Sequence, residues 1–219
     1  MGQVDPTDPV PIALAKALDV AAAHPQAHVL AGDTIVVLDG QALGKPESPA
    51  HAREMLRALR GRTHVVRTGL ALVQAGHVRT AEVRCPLAMR SYSDEEIEQY
   101  ITTGEPFDCA GAYDVHRLGG ALVERVEGCF SAVVGLPIVQ AARLLAAAGV
   151  PVPRDPAATC TALYGRRCLA ARAATAPACL DAAAPARSAP APCGAARSEP
   201  VRACPLLSGS SVLPGSLPQ

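Results

Sequence analysis

The chain has 219 residues, with 20 Lys+Arg balanced by 20 Asp+Glu, and 49% of it is hydrophobic. That is enough for one α/β domain with a sizeable core, or for a domain and a tail. The neutral balance excludes a global attraction to nucleic acid or to an anionic membrane, and no apolar run approaches the ~20 residues a spanning helix needs.

The opening residues, MGQVDPTDPVP, are acidic and proline-rich, which is not the pattern of a secretory signal, and the expected location is cytoplasmic. Eight cysteines are present, with no C-x-x-C pair and no histidine spacing that completes a zinc site, so they read as free thiols. Only two lysines, Lys16 and Lys45, stand against 18 arginines. A lysine kept in so arginine-rich a chain suggests a need for a compact ammonium, although chance explains two residues equally well.

Residues 1–10 begin as coil, and residues 12–23 turn helical, with Ile12, Leu14, Ala15, Leu18, Val20 and Ala21 on the apolar face. Lys16 lies on this helix and, taken by itself, reads as a solvated surface lysine. Residues 28–46, HVLAGDTIVVLDGQALGKP, are the centre of the chain. Two aliphatic runs of strand length flank Asp33 and Thr34, and Asp39-Gly40 is the dipeptide of a tight hairpin. A carboxylate inside such a strand is costly to bury without a metal ion, a cation or cleft water beside it, and a merely solvated edge aspartate is the bland alternative.

Ser48-Pro49 reads as an N-cap with proline at the first helical position, opening a helix that Gly61 stops. Residues 62–75 and 78–89 read as two antiparallel strands around Gly76-His77. Ser93 followed by three acids opens another helix, where the dipole favours negative charge. Residues 105–120 are glycine-rich and irregular, and they carry Asp108, Tyr113, Asp114 and His116; a long polar loop of this kind suggests function. Residues 122–126 read as a strand, residues 130–134 as another short strand, and residues 138–148 as a last helix. From Arg154 the chain becomes Ala/Pro/Arg/Ser/Cys-rich with little periodicity, and residues 151–219 are expected to be a disordered low-complexity tail.

At AGDTIVVLDGQALGKP the chain resembles the Maf family of nucleoside triphosphate pyrophosphatases. LRGRTHVVRTGLAL (59–72), SDEEIEQYITTGEPFDCAGAY (93–113) and LGGALVERVEGCFSAVVGLPI (118–138) extend the resemblance over about residues 4–150. The resemblance implies an α/β fold, a mixed twisted β-sheet with flanking helices in two lobes around a cleft, occupying residues 1–150. It implies hydrolysis between the α- and β-phosphates of a nucleotide with a divalent cation, Mg²⁺ or Mn²⁺. By position, Asp33 corresponds to the proton acceptor, Lys45 and Lys16 to phosphate-site lysines, and Thr34 and His116 to residues that discriminate between bases. Asp33 and Asp108 are the expected metal ligands. Asp-Thr and Ala112-Tyr113 resemble the dTTP/UTP branch; His116, in place of a glutamine, and Cys109, in place of a lysine, depart from it.

The family's Ser-x-Ser-Pro-Arg-Arg phosphate loop has no counterpart in this sequence, so reduced activity, reduced stability and an exposed sheet edge are expected. The alternative is a degenerate nucleotide-binding protein linked to septum formation that lacks turnover. The expected partner is a nucleoside triphosphate, with no nucleic acid and no membrane; monomer and homodimer both stay open.

Overall fold

Apolar alternation along residues 63–74 becomes the middle of an antiparallel sheet. The structure is a computed structural model that describes residues 5–168 and 182–183. Its strands are β1 (His28–Leu38), β2 (Gln41–Leu43), β3 (Thr63–Gln74), β4 (His77–Met89), β5 (Val123–Val126) and β6 (Ala182–Ala183). The order is β2-β1-β3-β4-β5, with β6 beside the start of β4, and every pairing among the described residues is antiparallel. The helices are α1 (Val10–Ala23), α2 (Pro49–Leu59), α3 (Asp94–Thr102), α4 (Phe130–Val134), α5 (Ile138–Ala147) and α6 (Pro156–Tyr164). Among the described residues no helix is long and apolar enough to cross a membrane.

Local chemistry sets the helix starts. The Ser48 side chain accepts from His51 N at the head of α2, with Pro49 in the first turn. Ser93 and Glu96 close a reciprocal capping box on α3.

The two faces of the sheet are covered differently. On one face α1 is the helix that packs among the described residues, its Ala13 and Ala17 against Ala71, Val73 and Val78, with Val29 and Ala31 beside them. On the other face α2 and α3 enclose Leu56, Leu59, Val66, Leu87 and Ile97 at one end. At the opposite end α4 and α5 cover Cys85, Leu70 and Leu72. Leu56, Leu59, Leu70, Leu72 and Leu87 are fully buried; burial of each such side chain contributes about 1.5–3 kcal/mol. The gap between the two groups is the cleft.

Two expectations are corrected. Residues 130–134 form α4, not a strand. An apolar run this short fits either element by pattern alone, and here the turn closes on Gly135 at φ 118° while Ser131 is sealed in the core. Residues 156–164 form α6, capped by Asp155 and packed on α5, inside the stretch expected to be disordered. The rest of that expectation beyond residue 168 lies outside the described residues, apart from the β6 pair. The edge expectation has a counterpart: β2 pairs only with Val36–Leu38 of β1, and among the described residues no strand borders residues 28–35 on the side away from β3.

The approach of α1 rests on one glycine. A Cβ at Gly69 would lie 2.7 Å from Pro9 C and Val10 N, both backbone atoms. Gly69→Ala is expected to cost about 1–3 kcal/mol by overpacking, read as a lowered midpoint in urea unfolding. An unchanged midpoint would show that α1 is free to shift.

Candidate active site

Asp33 stands opposite Gly69 in the strand register, on the face that α1 covers. The bare Gly69 backbone lets the first turn of α1 settle there, and Lys16 follows from the same helix. Its Nζ donates to Asp33 Oδ1 at 2.6 Å. The Asp33 side chain is 17% exposed and that of Lys16 54%. Asp33 Oδ2 makes no hydrogen bond within the described residues and is open to water or to a ligand. The bland reading of both residues is thereby narrowed: the strand carboxylate has a cation, and the surface lysine has a fixed partner.

Thr34 points the other way, because successive side chains of a strand leave opposite faces. With Val36, Lys45, Val66, Asp108 and Tyr113 it lines a cleft of 350 Å³ between the two helix groups. That volume falls at the lower end of small-ligand sites. The floor is aliphatic strand, and the charged groups sit on one rim. Lys45 Nζ lies 3.9 Å from Asp108 Oδ1, with both side chains largely solvated (63% and 95% exposed). Such a pair contributes about 0–1 kcal/mol to stability and leaves the ammonium available. Its location is set by backbone: Gly111 N donates to Gly44 O at 3.0 Å, which ties the glycine-rich loop to the arm carrying Lys45. Gly111 adopts φ 72°, and a Cβ there would press within 3.0 Å of Val36.

The sequence-derived residues thus fall into two groups. Asp33 and Lys16 meet on the α1 face, while Thr34, Lys45 and Asp108 meet in the cleft. Among the described residues no strand pairs with residues 33–34 of β1 on the side away from β3, so the two faces meet there and one elongated ligand can touch both. His116 belongs to neither group. It is exposed, its ring stands edge-on to Tyr164 of α6 at 5.9 Å, and it is not among the cleft-lining residues.

Two histidine and threonine positions went unnoticed in the sequence. His64 and Thr68 are polar residues at even positions of an otherwise apolar strand face, and that period-two recurrence was the available signal. His64 Nε2 lies 2.7 Å from the Tyr113 hydroxyl, behind the cleft wall. Burial pushes His64 down to about 4 and pushes the Tyr113 phenol up, so both are neutral near pH 7. Among the described residues His64 Nδ1 has no partner. Thr68 is fully buried and contacts Thr34 directly, at 3.0 Å between hydroxyl oxygens.

No three His, Cys, Asp or Glu side chains converge among the described residues. Asp33 and Asp108 are hard oxygen donors of the kind Mg²⁺ and Mn²⁺ take. With one or two carboxylates, such an ion completes its coordination from substrate phosphates and water. The two expected ligands do not come together, since Asp33 lies on the α1 face and Asp108 in the cleft, so either carboxylate would meet an ion singly.

The family model described as Maf-like protein matches residues 3–148. The chain belongs to the Maf-like family. It is similar to the dTTP/UTP pyrophosphatase of Moorella thermoacetica, 50% identical over 143 residues, which is 64% of this chain and 74% of that protein. The dTTP/UTP pyrophosphatase of Dictyoglomus thermophilum is 45% identical over 135 residues, covering 61% and 70%. That of Shewanella denitrificans is 46% identical over 124 residues, covering 57% and 62%. The Maf-like segment contains both groups of site residues and stops short of α6, so the Tyr164 that His116 meets lies outside it.

The buried histidine gives a pH signature. Its pKa is about 4 folded and 6.5 in the unfolded chain, so between these values the unfolded state binds the extra proton. Stability should fall as pH drops from 6.5 to 4, by up to about 3 kcal/mol, and this component should level off below 4. Denaturant midpoints across that range are expected to show the slope and His64→Asn to flatten it. A His64 ring titrating near 6.5 by NMR would contradict the assignment.

Proposed function

We infer that the chain hydrolyses nucleoside triphosphates between the α- and β-phosphates, releasing a nucleoside monophosphate and pyrophosphate. Membership of the Maf-like family and similarity to proteins named dTTP/UTP pyrophosphatase support nucleotide pyrophosphatase chemistry. The preferred substrates are of the dTTP/UTP kind. The observation that carries this reading is the Asp33–Lys16 pair, held at 2.6 Å on the open edge of β1 and one residue from the cleft that contains Thr34 and Lys45.

The base and ribose occupy the cleft, and the phosphates turn round the β1 edge. Lys16 fixes Oδ1 of Asp33, leaving Oδ2 to take the proton of the attacking water. General-base assistance of this kind is worth about 10²–10⁴ in rate. As the anhydride bond breaks, negative charge grows on the departing pyrophosphate. The ammonium groups of Lys16 and Lys45 offset that charge, which matters most where water is excluded. A divalent cation would meet Asp33 or Asp108, which stand on opposite faces of the sheet, and would supply further neutralisation of the phosphate oxygens.

A second reading is binding without turnover. It is favoured by the placement of Asp33 and the cleft on opposite faces of β1, which requires the triphosphate to bend around the edge before reaction.

Pyrophosphate release from UTP, dTTP, CTP and ATP with Mg²⁺ separates the two. The expected result is turnover of UTP and dTTP, abolished by EDTA. Asp33→Asn should lower kcat by about 10²-fold or more with little change in KM. Lys45→Ala should lower kcat as well as raise KM, because its ammonium meets both the bound phosphates and the charge that grows on them. Nucleotide binding without release would establish the second reading, and release indifferent to Asp33→Asn would remove Asp33 from the chemistry.

A further inference from the structure

The helix that follows the family-matched residues brings two thiols together. Cys160 lies in the middle of α6 and is 4% exposed. The helix stops at Gly165, whose φ of 61° turns the chain back. Cys168 N then donates to Thr161 Oγ1 at 3.2 Å, which returns Cys168 to the helix it has just left. The Cys160 thiol is hydrogen-bonded both to the Cys168 thiol and to the Ser131 side chain. Cys160 is enclosed, whereas Cys168 is half-buried and follows the exposed Arg166 and Arg167. Cys129 joins the group through Ser131, whose Oγ lies 3.2 Å from its sulfur, and it too is buried. Cys168 is therefore the thiol of this group that a reagent in solution can reach.

We propose that Cys160 and Cys168 form a reversible dithiol–disulfide site, oxidised by a small disulfide of the glutathione kind. Cys168 reacts first. Its sulfur, having released its proton to water, bonds to one sulfur of the reagent, and the other sulfur leaves as a thiolate. Cys160 then gives its proton to water, its sulfur bonds to that of Cys168, and the second reagent thiolate leaves. Two protein thiols lose two electrons and two protons, and the reagent disulfide becomes two thiols. The order follows from access and from burial, which pushes the Cys160 thiol up and disfavours it as the first nucleophile. Arg166 and Arg167 give the entry cationic flanks suited to the carboxylates of glutathione. In a reducing compartment such a bond is transient and reports the thiol balance.

The bond closes the loop of residues 160–168, and that loop carries two side chains that reach the cleft walls. Tyr164 stands edge-on to His116 of the glycine-rich loop at 5.9 Å and edge-on to Phe130 at 5.2 Å. The Arg166 guanidinium lies 4.8 Å from the centroid of the Phe130 ring. Phe130 opens α4, whose Val133 and Val134 line the cleft, and His116 follows Val115, which lines it as well. A cross-link removes freedom from the opened loop, so the disulfide form holds α6 more firmly on both walls. Since α6 lies beyond residues 3–148, the family match does not supply this site. Nor does the site depend on what the cleft binds.

The test equilibrates the full chain with mixtures of reduced glutathione and glutathione disulfide, alkylates the remaining thiols and reads the tryptic peptides by mass spectrometry. Trypsin cuts after Arg166 and Arg167, inside the loop, so peptides 155–166 and 168–172 stay joined only through Cys160 and Cys168. This linked pair should accumulate as the disulfide fraction rises and vanish on adding dithiothreitol. The same pair should form when Cys179, Cys193 and Cys204 are all changed to serine, which removes the competing thiols downstream. Hydrogen exchange of the α6 amides should slow about 10- to 100-fold on oxidation of the wild-type chain and stay unchanged in Cys168→Ser. Should that variant fail to fold, the oxidised and reduced wild-type chain give the comparison. Absence of the linked pair at every glutathione ratio, or pairing of Cys168 with a different cysteine, would overturn the site. A linked pair with unchanged exchange would overturn its hold on α6.

Discussion

Everything at this site follows from two adjacent residues on a sheet edge leaving opposite faces of the same strand. Asp33 projects toward α1 and Thr34 toward the cleft, as strand geometry requires. In the middle of a sheet the two would be separated by a wall of paired strands. Among the described residues β2 covers only the last residues of β1, so the region of residues 33–34 is a rim and not a wall. A carboxylate with a lysine and a hydroxyl with a second lysine can then serve one ligand that folds over the rim.

The neighbours of the rim are held by close packing and a few directed hydrogen bonds. α1 reaches the sheet because Gly69 has no side chain to keep the backbone of Pro9 and Val10 away. The Asp33–Lys16 contact comes as a consequence of that packing, and being half in solvent it adds little to stability itself. On the same face Arg67, which is 8% exposed, joins Asp5, Thr7 and Glu82 and so ties the residues ahead of α1 to β3 and β4. On the cleft face, the Gly111–Gly44 hydrogen bond holds the loop with Asp108 against the arm with Lys45. His64 and Tyr113 brace the wall behind the loop. Lys16, Lys45 and Asp108 are thus left at the surface, and the rigidity comes from the buried Arg67 network on one face and from neutral contacts on the other.

Most of the element order was legible because the signals are local. Period-two patterning, the Asp39-Gly40 turn and the serine caps at Ser48 and Ser93 all act within a few residues. The short stretch at residues 130–134 was misread for a reason of the same kind. Val133 and Val134 favour a strand by propensity, but β5 ends at Val126, and the turn is decided by Gly135 and by the buried Ser131, whose hydroxyl accepts from Ile138 N. α6 was missed because its alanine-rich sequence has almost no amphipathic pattern, and its place is set by packing on α5 and α4.

The sequence by itself determined the chemistry on offer: a strand carboxylate followed by a hydroxyl, two lysines in an arginine-rich chain, and a glycine-rich loop, in the order shared with the Maf-like family. Only the tertiary structure decided how those groups are distributed. It put Lys16 on Asp33 and Lys45 in the cleft, left His116 outside, and gave the Thr34 hydroxyl a direction. The physical reason is that each of these outcomes depends on partners far away in the chain. A strand face acquires meaning only from the helix laid on it, and a hydroxyl proton points wherever the next acceptor lies, here through Thr68 to a carbonyl in α4.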